Sequence, residues 1–177
     1  PPLLTHAFHD EHPLPGTQPT DLGCPSKRVR PRLPDNAVMS PWTLTAIERA
    51  FRDAWGADTC MPEELGAWSA QNPARGQCGP TSLVLCELIG GDLMRADVHR
   101  DGVHIGGHYW NRLSTGIEID LTRQQFGLDE VIGTGWVVPP PADMRPGRCI
   151  EQWDLLRRRV FAALGSVPID ATTAPSS

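Results

Sequence analysis

Residues 72–91 read NPARGQCGPTSLVLCELIGG: a glycine-bearing loop, a cysteine, a proline, then apolar residues on almost every side until a glycine pair. A helix over Thr81 to Ile89 has no polar face to offer solvent, so the pattern predicts that it lies inside the domain, covered all round. Pro80 suits the first turn, where the N–H it lacks has no intrahelical partner anyway. Gly90 and Gly91 end the helix. Cys78 is thereby placed at a helix N-terminus, where unpaired N–H groups and the dipole favour negative charge and bring a thiolate nearer to neutral pH. Its plainer reading is a core thiol, since cysteine is among the most often buried residue types.

Three strand-like segments follow: DLMRADVHR (92–100), VHIGGHYWNRL (103–113) and IEIDLT (117–122). Asp101-Gly102 is a two-residue hairpin signal between the first two, and Ser-Thr-Gly supplies the next turn, which predicts an antiparallel meander. Helices first, then a meander with one helix buried against it, define the fold class as α+β. With a three-residue loop at Leu113–Thr115, Arg112 faces Gly116, Trp110 faces Glu118 and His108 faces Asp120. Directly opposed residues share a face with Cβ atoms about 4.5–5.5 Å apart. Tyr109 then joins Ile117, Ile119 and Leu121 on the apolar face. Asp120 would orient the imidazole and leave the other ring nitrogen for a thiol, giving a Cys78-His108-Asp120 triad. A two-residue loop instead sets His108 opposite Leu121 and turns Asp120 away, so the triad hangs on that choice.

Around this triad, the N–H groups of Cys78 and Gly79 are candidate oxyanion donors, and the small Gly79 leaves room for a substrate. Trp110 is read either as a wall of the cleft beside His108 or as sheet core. His99 and His104 face each other across the Asp101-Gly102 turn, but without a third ligand they read as a solvated hairpin tip, and no metal or cofactor is expected. Cys86 falls deep in the apolar helix, and Cys60 and Cys149 read as packing residues.

The runs NPARGQC, GHYWNRL and EIDLTRQQF, with the buried helix ending in GG between the first two, together resemble the YunG-like family of small bacterial proteins over roughly Pro41 to Phe126. More distantly, the Cys, His, Asp order resembles papain-like and transglutaminase-like cysteine enzymes, including the bacteriocin-leader peptidases. That resemblance implies a papain-like (cysteine-proteinase-like) arrangement, in which the cysteine opens a central helix packed on an antiparallel sheet. In those enzymes a glutamine about six residues before the cysteine often lines the oxyanion hole. The matching position here is Asn72, so the resemblance implies Asn72 as donor, with Gln77 second.

The rest of the chain bounds these readings. Its 177 residues suit one domain with extensions. The net charge of -5 offers no basic field for nucleic acid or an anionic membrane. No apolar run reaches the roughly 18 to 20 residues that cross a bilayer, and the five scattered cysteines form no CxxC pair, so a cytoplasmic protein without a disulfide framework is expected. Residues 1–38 are proline-dense and aperiodic, which predicts an extended arm. MSPWTLTAIERAFRDAW (39–55) looks like a protein start, with Ser40 as cap, Pro41 in the first turn, and Leu44, Ile47, Phe51 and Ala54 on one face. Met39 is therefore the expected native start, the domain is expected over 39–165, and 166–177 is a flexible tail. RQQFGLDEVIGTGW (123–136) reads as a short helix and loop, VVPPPADMRPG (137–147) as a connector, and CIEQWDLLRRRVFAALG (149–165) as an amphipathic helix. Its Arg157-Arg158-Arg159 run is expected on the wet face.

Two function classes remain in view. One is a cysteine-dependent hydrolase or acyltransferase whose substrate carries an amide or thioester, on a peptide or a carrier. The other is a non-catalytic binding protein that keeps the same architecture, which an imidazole far from the sulfur or turned into the core would favour. Segments 59–72 and 126–145 are the expected cleft borders.

Overall fold

The computed structural model describes residues 42–141 and 144–165. Helix α1 is Leu44–Ala54, and Thr43 caps it, its Oγ1 accepting from the Ala46 N–H at 3.1 Å. Such a cap contributes about 1 kcal/mol relative to alanine. The cap expected at Ser40 thus lies elsewhere; Ser40, Pro41, the arm and the tail are outside the described residues. Ile47, Ala50, Phe51 and Ala54 bury one face of α1, whereas Leu44 is 50% exposed.

Helix α2 spans Cys78–Ile89, and every residue from Cys78 to Cys86 is buried. Leu83, Val84 and Leu85 are each exposed by 1% or less, and burying one such side chain contributes about 1.5–3 kcal/mol. This cover comes from helix α3 (Ile150–Ala163) and from the sheet, and the buried face of α1 packs on α3 in the same core. Polar ties also fix the helix within it. The Trp55 indole donates to Thr81 Oγ1 at 3.0 Å, and Arg157 donates to both Glu87 carboxylate oxygens at 2.7 Å. Arg157 is therefore buried between α2 and α3, over the rings of Trp153 and Phe161, and not on the wet face. Only Arg158 and Arg159 of that run reach solvent, in exposed pairs with Asp154 and Asp58.

The sheet is antiparallel, with strands β1 (Asp92–Arg100), β2 (Val103–Arg112), β3 (Glu118–Ile119), β4 (Glu130–Ile132) and β5 (Trp136–Val138). Its order is β3-β2-β1-β4, and β5 pairs with β1 on the same side as β4. The expected hairpin forms: Arg100 pairs with Val103, and Asp101 and Gly102 both have positive φ, 51° and 78°, as a type I′ turn requires. His99 pairs with His104 and Val98 with Gly106, so Ile105 is the extra residue of a bulge.

The second turn departs from both registers considered. Arg112 pairs with Glu118 and Asn111 with Ile119, and the Leu113 N–H donates to Ile117 O at 2.8 Å. Relative to the three-residue loop Leu113–Thr115, the pairing has slipped by two residues. A slip of two preserves the face of every side chain, because the pleat has period two. Tyr109, Ile119 and Leu121 accordingly share the main core with α2, while Ile117 is 60% exposed. Strand β3 also stops after two residues, and β4 and β5, read from sequence as loop and connector, add to the far edge of β1. Strands of three residues are too short to show alternation.

The opposite face of the sheet carries a smaller core of Met94, Ala96 and Trp110, with Ile132 against it. Gly135 passes so close to Trp110 that a Cβ there would lie 2.4 Å from the indole. Gly76 is likewise fixed: φ is +69°, and a Cβ would meet Cys60 Sγ and Glu64 Cβ at 2.6 Å. At Gly79 the nearest atom to a new Cβ is Met61 Sδ at 3.8 Å. Gly76→Ala is expected to destabilise the fold by more than about 1 kcal/mol. Gly79→Ala should be neutral or stabilise by up to about 1 kcal/mol. Urea unfolding midpoints of the two variants check this, and equal effects would contradict the placement of Gly76.

Candidate active site

The head of α2 is a place where donors outnumber acceptors. Gln77 makes no side-chain cap bond, Pro80 has no N–H, and the Thr81 N–H is taken by Gln77 O at 2.9 Å. The Cys78 and Gly79 N–H groups are left as the helix-end donors without an intrahelical acceptor. The Cys78 side chain, 6% exposed, lies at this head and lines a cleft of about 250 Å³.

His108 comes to the same place from β2. Its Nε2 lies 2.7 Å from Asp120 Oδ2, and Cys78 is near enough to favour the charged form of its ring. Because the register is two residues from the expected one, this histidine and aspartate meet as diagonal neighbours and not as directly opposed residues. The reach of an imidazole spans that diagonal. Asp120 is held in turn: its Oδ1 accepts from the Thr122 N–H at 3.1 Å and lies 3.4 Å from Thr122 Oγ1. Trp110 stacks on the His108 ring at 5.5 Å, its indole N–H anchored on Glu118 Oε2 at 2.9 Å, and Phe126 meets the ring edge-on at 4.8 Å. Trp110 is thus the backing of the histidine in the smaller core, and does not line the cleft.

His108 is fully buried. Burial by itself opposes the charged ring, but the hydrogen bond to Asp120 and the hydrogen bond and charge of Cys78 outweigh it, raising the His108 pKa to about 9. For Cys60 burial prevails, with Glu64 adding to it, and the thiol is pushed up to about 11. Burial also raises the Cys149 thiol. Cys86 is buried, its sulfur 3.5 Å from Gly91 O.

The amides implied as oxyanion donors are committed elsewhere. Asn72 Nδ2 donates to Gln125 O at 3.0 Å, Gln77 Nε2 donates to Gly56 O at 3.0 Å, and neither residue lines the cleft. Both are bent to structural duty because the loop before Cys78 must be tied down on each side. Gly79 faces a separate crevice with Met61, Leu83 and Cys149, so the space left by its missing Cβ is not in the cleft. The amide that does line the cleft is Gln125, 4% exposed, with Nε2 at 3.4 Å from His108 Nδ1 and Oε1 accepting from the Gly76 N–H at 3.3 Å. Sequence reasoning passed over it because it sits in a single 3-10 turn, Arg123–Gln125, too short to show a period, although it lies only five residues beyond Asp120.

An ion-pair network braces the two loops that meet here. Arg75 bonds Glu64 Oε2 at 2.7 Å and Glu130 Oε1 at 2.9 Å, and Glu130 also accepts from Arg100 at 3.0 Å and from the Gly127 N–H at 2.7 Å. Burial would raise the Glu130 carboxyl, but the Gly127 N–H and Arg75 overcome it and hold it below its ordinary value. Removing either partner of the Arg75–Glu130 pair would leave a desolvated charge. The histidine pair at the hairpin tip has ring centroids 5.6 Å apart, with Asp97 3.5 Å from His104, and among the described residues no three such groups are arranged to hold a metal ion.

The family model described as YunG protein matches residues 43–165. The chain belongs to the YunG family. No curated protein and no solved structure matches it. Within this YunG chain, no helix among the described residues is long and apolar enough to cross a membrane.

The raised His108 pKa has a consequence for stability. A group protonated more readily when folded contributes stability that is fully present below its unfolded pKa, about 6.5, and is lost as pH rises through the folded value, about 9. Unfolding free energy is expected to fall between pH 6.5 and pH 9, and His108→Gln should flatten that slope. A wild-type slope unchanged by His108→Gln in urea titrations would contradict the assignment.

Proposed function

We propose that this YunG protein is a cysteine-dependent hydrolase or acyltransferase of papain-like arrangement, acting on an amide or thioester. The observation that carries the reading is a single imidazole joined to Asp120 at 2.7 Å and electrostatically coupled to Cys78 at the head of a buried helix. With Nε2 engaged by Asp120, Nδ1 is the nitrogen left for the sulfur. The reacting form in this proposal is an imidazolium–thiolate pair reached from the thiol, the raised His108 pKa favouring the charged ring.

The thiolate adds to the substrate carbonyl carbon, and the carbonyl π electrons move to oxygen. The helix-end N–H of Cys78 meets the resulting oxyanion. Collapse breaks the bond to the leaving amine or thiol, which takes the proton from His108, and leaves an acyl-thioenzyme. Water or an amine then gives a proton to His108 and attacks the thioester, which releases the thiolate. Asp120 keeps the ring in one tautomer and orientation throughout.

The cleft supports this scale of substrate. At about 250 Å³ it is smaller than the ~300–1,000 Å³ pockets that enclose a whole drug-sized ligand, and suits an acyl group on a peptide or carrier. Its lining charges are mixed, Arg75, Arg95 and Arg148 against Glu63, Glu64 and Glu130, which does not favour nucleic acid. The free thiols Cys60, Cys78, Cys86 and Cys149 support a reducing, cytoplasmic setting. The non-catalytic alternative called for an imidazole far from the sulfur or turned into the core: the full burial of His108 fits the second condition, and its electrostatic coupling to Cys78 speaks against the first.

Iodoacetamide is expected to alkylate Cys78 at least tenfold faster than Cys60, Cys86 or Cys149, and His108→Ala should slow that reaction alone. Peptide mapping by mass spectrometry reads the outcome. Equal reactivity of all the thiols would falsify the proposal.

A further inference from the structure

We propose that Gln125 is a catalytic residue of this site, its side-chain NH2 group being the oxyanion donor that partners the Cys78 N–H. This rests on the cysteine-nucleophile reading and supplies a donor in place of Asn72 and Gln77, whose amides are engaged elsewhere.

The orientation of the amide is fixed by chemistry. Gln125 Oε1 lies 3.3 Å from the Gly76 nitrogen, and a backbone N–H can only donate, so the atom facing Gly76 is the oxygen. The NH2 group therefore points away from Gly76, to where Nε2 lies 3.4 Å from His108 Nδ1. In the thiolate–imidazolium state Nδ1 itself carries a hydrogen directed at sulfur, so it has no lone pair for the amide. In that state the Gln125 NH2 group is released from Nδ1, in a cleft that it lines together with Cys78. An acyl oxygen arriving on Cys78 would satisfy it.

The donor is also held rigidly. The Gln125 carbonyl accepts from Asn72 Nδ2 at 3.0 Å and lies 3.4 Å from Arg75 Nη1, and its own N–H donates to Thr122 O at 3.0 Å. Thr122 is the same residue that holds Asp120. A preorganised donor in a water-poor site stabilises developing charge without reorganisation, and loss of one such donor costs roughly 10²–10³ in rate. In the step itself, sulfur bonds to the carbonyl carbon and the π pair becomes the oxyanion lone pair. The oxyanion accepts from Gln125 Nε2 and the Cys78 nitrogen until the carbonyl reforms and the leaving group departs with the His108 proton.

Two reactions of Cys78 separate this role from a structural one. Alkylation by iodoacetamide passes through no oxyanion, whereas acylation by p-nitrophenyl acetate does. Gln125→Glu keeps the oxygen that accepts from Gly76 and removes the donor, and Gln125→Met removes donor and charge together. In full-length Gln125→Met, acylation is expected to fall roughly 10²-fold while alkylation changes less than about threefold relative to the wild type; in Gln125→Glu the added carboxylate also slows alkylation, and acylation is expected to fall further than alkylation. Wild-type acylation rates in both variants would overturn the assignment. So would parallel losses in the two reactions, which mark a residue that only positions the site. A wild-type Cys78 that is neither selectively alkylated nor acylated would instead remove the nucleophile reading, and this assignment with it.

Discussion

The imidazole of His108 is cut off from water, and the surrounding structure is arranged around that constraint. A buried ring that carries a proton needs groups that favour its charge, and they come from different parts of the chain: Asp120 beyond the β2–β3 turn and Cys78 at the head of α2. Burial penalises the charge, and these two partners overcome the penalty. Remove either one and the ring becomes a desolvated group with an unmet hydrogen bond, which is costly whether or not catalysis is in view.

Everything else nearby reads as support for that junction. The Asn111 amide, fully buried on β2, donates to Ser82 O at 2.9 Å and locks the strand to the second turn of α2. Trp110 fills the space behind the ring, and Gly135 exists as glycine to let it. Arg75 gathers Glu64, Glu130 and the Gln125 carbonyl, so the loop that delivers Cys78 and the loop that follows Asp120 are cross-braced. Rigid loops on a packed scaffold are where chemistry is usually placed.

Much of this was legible in sequence, for identifiable reasons. The apolar run Thr81–Ile89 has one packing solution, and Asp101-Gly102 admits one turn type. The pairing of His108 with Asp120 survived a wrong loop length because the error was two residues, and parity decides which face a side chain takes. What stayed hidden lacks periodicity. Strands β4 and β5 are three residues each, and their pairing with β1 depends on tertiary contacts that no local pattern records. Arg157 looks like one of three surface arginines until Glu87 is placed opposite it. Gln125 carries no signal except its neighbours in space, and the amides favoured by analogy, Asn72 and Gln77, are spent on backbone carbonyls.

The central claim is that Cys78 is a nucleophile driven by His108, and the most direct measurement is to trap the intermediate. The wild-type chain is mixed with p-nitrophenyl acetate, quenched in acid and digested, and the peptides are mapped by mass spectrometry. The account predicts a transient acetyl thioester on Cys78, formed before any acetyl appears on Cys60, Cys86 or Cys149 and absent in His108→Gln. Acetyl groups spread over the thiols without preference, or equal acetylation of Cys78 when His108 is replaced, would contradict it.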